Sequence, residues 1–140
     1  LQPGLCTRFF FEFFTLHCGA AREELFRRKN QGAKMQRVAF LAHVKPGKEA
    51  EYDRWHAAVW PEMLSLLSAS GISDYSIFRR DQLLVLTFTI HEDFNTVWDR
   101  VEASPINTKW QAEMANICQP PTGMRGTERF PMMQEVFYMA

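Results

Sequence analysis

The chain has no surplus of either charge. Sixteen Lys and Arg stand against sixteen Asp and Glu in 140 residues. A neutral chain gives no electrostatic case for nucleic acid or for an anionic membrane surface as partner. No run is apolar and long enough to span a bilayer. Cysteine is scarce and odd in number: Cys6, Cys18 and Cys118 have no zinc-like spacing and do not suggest a disulfide framework. Three free thiols in a reducing, cytoplasmic setting are therefore expected. GxGxxG, P-loop and GxSxG motifs are missing, and no His, Cys or carboxylate pair has metal-ligand spacing. Neither a cofactor nor a metal is expected.

What is present is the composition of a globular domain, 46% hydrophobic and 23% charged. The length suffices for one domain with a real core. Residues 1–34 differ from the remainder. They hold six of the twelve phenylalanines, and six basic against three acidic side chains, whereas the remainder has ten against thirteen. "TRFFFEFFTL" lacks clean periodicity, and Glu12 interrupts it too early for a signal peptide. A short helix over "AAREELFRRKNQGAK" is expected to end in a linker. Residues 1–34 are expected to be an extension, and 35–140 an α+β domain beginning at Met35.

From Met35 the hydrophobic pattern alternates between strand and helix. "QRVAFLAHV" reads as a strand, and "KPGKE" as a turn into a helix that runs to about Ser70, with Gly71 as its C-terminal stop. "ISDYSIFRR" and "LLVLTFTI" read as strands joined by the tight turn "DQ". Phe94, Val97, Trp98 and Val101 mark a helix, and Pro105 opens another. "MMQEVFYM" is expected to close the sheet as a last strand. The order β-α-β-β-α-α-β is that of the ferredoxin-like split βαβ fold, an antiparallel sheet with helices on one face. The open face of such a sheet usually packs on a partner, so a homodimer is expected.

"EYDRWHAAVWPEM", Glu51 to Met63, is the most unusual segment. Tyr52, His56 and Trp60 are spaced i, i+4, i+8 and lie on one broad helical stripe. Pro61 cannot continue the hydrogen-bond ladder, so the helix should kink or restart there. Such a stripe taken alone is more simply a core face with one satisfied histidine. Tyr75 on a neighbouring strand and Trp110 on the last helix shift the balance. Aromatic faces with a few hydroxyl partners suit a sugar ring, and histidine adds a group that titrates near neutrality. His43 reads as a core or supporting histidine, His91 as a helix-start residue, and Arg79–Arg80 as a solvated strand end.

These residues also carry a resemblance. "EYDRWHAAVWPEM" resembles the E-Y-x-x-x-H-x-x-x-W-P-E signature of the L-rhamnose mutarotases, and "GISDYSIF" their G-x-x-x-Y-x-I segment. "KWQAEM" is similar to their W-W-x-x-M segment and "MQEVFYM" to their C-terminus. The resemblance runs in order from about Met35 to the end. It implies a dimeric α+β barrel that interconverts sugar anomers without a cofactor. It also implies that His56 is the proton donor and that Tyr52, Tyr75 and Trp110 contact the substrate. Gln111 stands where many members carry a second tryptophan, which keeps a polar contact and removes a stacking plane. Ring opening at C1 needs a proton on the ring oxygen and one taken from the anomeric hydroxyl. The expectation is that His56 gives the first, while a tyrosine hydroxyl or a water it holds receives the second. The rival readings are a cofactor-free monooxygenase or haem-type enzyme of the same architecture, and a non-catalytic small-ligand module.

Overall fold

The computed structural model describes residues 34–140. The short N-terminal helix, Cys6, His17 and Cys18 lie outside the described residues. Residues 35–140 form one unit of three strands and four helices. They are β1 (Gln36–His43), α1 (Glu49–Ala57), α2 (Pro61–Ala69), β2 (Ser73–Arg80), β3 (Leu83–Ile90), α3 (Phe94–Glu102) and α4 (Pro105–Ile117). The sheet order is β1-β3-β2, antiparallel throughout.

Alternation in the strands sorts side chains between two faces. Val38, Phe40, Leu84, Leu86, Phe88 and Ile90 are buried and pack with Trp98, Val101, Trp110 and Met114 from the helices. Phe88 stacks on Trp98 at 6.1 Å between centroids, and Phe40 meets the same indole edge-on. The core thus lies between one sheet face and the helical layer, as the α+β reading expects.

The long helix expected between β1 and β2 is two helices. α1 ends at Ala57, and Trp60 has an extended ψ of 133° immediately before Pro61, which opens α2 as its first residue. A proline preorganises a first helical turn but cannot extend one. α2 stops where the sequence predicts. Gly71 takes φ of +94°, its N–H bonds Ser68 C=O, and the Ile72 N–H bonds Leu67 C=O. This pair of bonds closes the helix end only when the intervening residue is left-handed. α3 is capped by Asp93, whose carboxylate accepts from the Thr96 N–H at 3.1 Å. His91, expected at the helix start, lies two residues earlier on the exposed connection.

The last expected strand is the main departure. Met132 forms a single antiparallel bridge to Phe40, with one backbone bond on either side, Leu41 N–H to Pro131 C=O and Met133 N–H to Ala39 C=O. That bridge occupies the fourth-strand position of the split βαβ order, next to β1. Beyond Met133 the chain is held by side chains instead of a ladder. Arg37 pairs with Glu135 and lies over the Tyr138 ring, while Val136 is 91% exposed. The segment therefore leaves the outer edge of β1 after one bridge and does not continue as a strand.

Candidate functional site

The site is built where α1 and α4 cross the covered sheet face. Tyr52 and His56 are one turn apart on α1, and their rings stack at 4.0 Å. Trp110 projects from α4 and is met edge-on by His56 at 5.5 Å, Trp60 at 5.2 Å and Trp55 at 5.7 Å. Edge-to-face contacts of this kind suit the quadrupoles of the rings and fix their orientation. Tyr75 on β2 rests against Phe88 at 5.3 Å.

A cavity of about 560 Å³ opens between these elements, and Tyr52, His56, Tyr75, Trp110 and Gln111 all line it. An adjoining cavity of about 460 Å³ shares His56, Tyr75, Trp110 and Gln111, and extends along α2 past Met63 and Leu67. The five residues expected at the site are thus brought together from three elements. Trp60 lines neither cavity. It closes the aromatic cluster behind Trp110, because Pro61 turns it out of the α1 stripe. His43 does not support the site either. It sits opposite Leu83 on the other sheet face. Arg79 is not merely solvated, for its guanidinium forks onto Asp53 and ties β2 to α1 at 2.8 Å and 2.5 Å.

Tyr75 faces the cavity with Ile77 by the alternation of β2, and the strand turns irregular just before it. The register slips between Ser73 and Ser76, and Asp74 takes a left-handed φ of 49°. An extra residue in one strand re-aims its neighbours, and Asp tolerates this backbone better than most side chains.

The histidine has a defined tautomer. Its Nδ1 lies 3.0 Å from the Tyr52 carbonyl oxygen. A carbonyl only accepts, so Nδ1 carries the proton and Nε2 keeps its lone pair. Burial lowers the His56 pKa, against smaller opposing effects of the Tyr52 carbonyl and Asp53. The resting ring is therefore neutral at neutral pH, with Nε2 as proton acceptor. Burial also pushes both phenols, Tyr52 and Tyr75, well above their ordinary value. They stay protonated, so each hydroxyl is free to act as a donor and is a poor proton acceptor. Cys118, half-buried at the cavity wall, is likewise pushed up by burial and stays a thiol. Among the described residues no three His, Cys, Asp or Glu side chains gather as metal ligands.

Among the further lining residues that the pattern does not single out are Asn107 and Trp98. Asn107, Trp110, Gln111 and Met114 recur at helical spacing on α4, so Asn107 was within reach of the pattern. Trp98 reads as core from its stripe and is both core and wall.

The L-rhamnose mutarotase family sequence model matches residues 37–139. The chain belongs to the L-rhamnose mutarotase family. An L-rhamnose mutarotase of Verminephrobacter eiseniae is 38% identical over 99 residues, 71% of this chain and 89% of the relative. One of Bacteroides thetaiotaomicron is 59% identical over 86 residues, 61% and 82% of the two chains. The crystal structure of an L-rhamnose mutarotase from Formosa agariphila superposes with a TM-score of 0.59 at 29% identity, covering 75% of this chain and 99% of that one. Membership of this family does not favour the monooxygenase or haem-type alternative.

Proposed function

We infer that the protein is an isomerase that interconverts the α and β anomers of L-rhamnose, or of a related 6-deoxyhexose, by acid–base ring opening and closure. One observation carries the mechanism: a neutral His56, its Nδ1–H tied to the Tyr52 carbonyl, with Nε2 left as a base in a cavity lined by Tyr52, Tyr75, Trp110 and Gln111. Nε2 takes the proton of the anomeric hydroxyl as the C1–O5 bond breaks and the C1 carbonyl forms. The resulting imidazolium returns a proton to the ring oxygen. Rotation about C1–C2 and the reverse steps close the ring on the other face. His56 remains the donor to the ring oxygen, as the family resemblance implies, but it is first the acceptor. The neutral phenols replace the expected tyrosine base with hydrogen-bond donors that hold the sugar. Trp110 gives the stacking face, and Gln111 a polar edge.

Positioned acid–base groups typically contribute about 10²–10⁴-fold, which suits a reaction that water already performs slowly. The test is anomer exchange by saturation-transfer NMR with wild type and His56→Ala. Exchange at the wild-type rate in the variant removes His56 from the mechanism. Binding of L-rhamnose without exchange above the buffer rate identifies a non-catalytic binder.

The working unit we propose is a homodimer of domain 35–140 in the cytoplasm, with residues 1–34 as an extension. The support is the uncovered sheet face, where Leu41, Val85 and Phe78 form one cross-strand apolar row and Phe78 is 63% exposed. Sedimentation of the full chain and of residues 35–140 tests both: two dimers of equal activity are expected.

A further inference from the structure

Asn107 is a buried amide whose hydrogen bonds are not accounted for by the protein. It sits on α4 one turn before Trp110 and is 6% exposed. Its Oδ1 accepts from Gln111 Nε2 at 3.4 Å. Among the described residues its Nδ2 has no acceptor. A buried amide offers two N–H donors, and buried polar groups are nearly always paired. Asn107 lines both cavities, in the wall they share with His56 and Trp110. Its missing partners are therefore on the cavity side.

We propose that Asn107 is a specificity-determining residue: its Nδ2 donates to a ring hydroxyl of the sugar, and Gln111 holds the amide in that orientation. This inference rests on the sugar-site reading of the cavity. The surroundings fix the ligand class. Neither cavity is lined by Lys or Arg, so an anion finds no counter-charge there. Aromatic faces, neutral donors and one carboxylate in each lining, Asp74 and Glu102, remain; a carboxylate accepts from hydroxyls, so the set fits an uncharged polyhydroxylated ring. The contact also gives Gln111 a role distinct from that of a second tryptophan. It orients a donor instead of stacking. A site that bonds a substrate hydroxyl rejects the analogue that lacks it, because its own buried donor is then left unpaired.

The experiment measures anomer exchange of L-rhamnose and its 2-, 3- and 4-deoxy derivatives with wild type, Asn107→Leu and Asn107→Asp. Aspartate keeps the acceptor for Gln111 and removes the donors, so it answers the question if leucine disturbs folding. Circular dichroism and melting checks accompany both. The expected result is a KM for L-rhamnose raised about threefold to tenfold in both variants, the range for one neutral hydrogen bond, with kcat changed less. One deoxy sugar should suffer a similar loss with wild type and no further loss with the variants. Wild-type KM values in the variants, or an equal loss on every sugar, overturn the proposal while leaving the mutarotase reading intact. Absence of exchange by wild type on all four sugars overturns both.

Discussion

The two faces of the same sheet have opposite fates. Even-numbered positions of β1 and β3 (Val38, Phe40, Leu84, Leu86, Phe88, Ile90) are sealed under helices. Their odd-numbered neighbours, Ala39, Leu41, Leu83 and Val85, are only half-buried, although they are no less apolar. Hydrophobicity alone does not separate the faces. The difference is what covers them. The helix-covered face gains edge-to-face aromatic order and, where α1 and α4 spread apart, a cavity. The other face has the cross-strand row Leu41–Val85–Phe78. One face carries the proposed sugar site and the other the proposed dimer contact.

That contrast can be broken most strongly on the covered face. His56→Ala should lower the enzymatic part of anomer exchange by about 10²–10⁴-fold with the melting temperature nearly kept, because the ring is only partly buried. Saturation-transfer NMR and a thermal melt read both quantities. Phe88→Ala removes a ring that touches Phe40, Tyr75, Phe94 and Trp98, and should destabilise the fold by about 3–5 kcal/mol in denaturant titration. On the open face, Phe78→Glu should leave the protomer folded and shift sedimentation from dimer to monomer. An unchanged sedimentation coefficient removes this face as the interface.

The smallest effect sharpens the electrostatic side of the comparison. His56 has a folded-state pKa below its unfolded value, because burial disfavours the charged ring. Its neutral form is fully compatible with the fold above about pH 6.5, the ordinary histidine value. As pH falls from there through the lower folded value, the unfolded state binds the proton more readily and stability is lost. Wild type should therefore lose more melting temperature between pH 7.5 and 5 than His56→Gln does. The pH profile of kcat/KM should fall in the same direction, since protonation removes the Nε2 base.

Much of this was legible in the sequence. The periods of two and of three to four residues located the strands and helices. Pro61 announced the break between α1 and α2, and Gly71 the end of α2. Tyr52 and His56 share a helix face by spacing alone. Alternation in "MMQEVFYM" is a local signal and does not fix what the segment pairs with: the chain makes one bridge beside Phe40 and then leaves the edge of β1. Helical spacing puts Trp60 on the Tyr52–His56 stripe because it counts on past Ala57, where the helix has already ended.

By itself the sequence determined the element types, the helix break and the residue kinds at the site, because these follow from local backbone and side-chain preferences. Only the tertiary structure decided that Tyr75, Trp110, Gln111 and Asn107 share a cavity with His56. It also decided which histidine nitrogen keeps its lone pair and which phenols stay neutral. Those properties depend on burial and on neighbours far apart in the chain, and they exist only once the helices close over one face of the sheet.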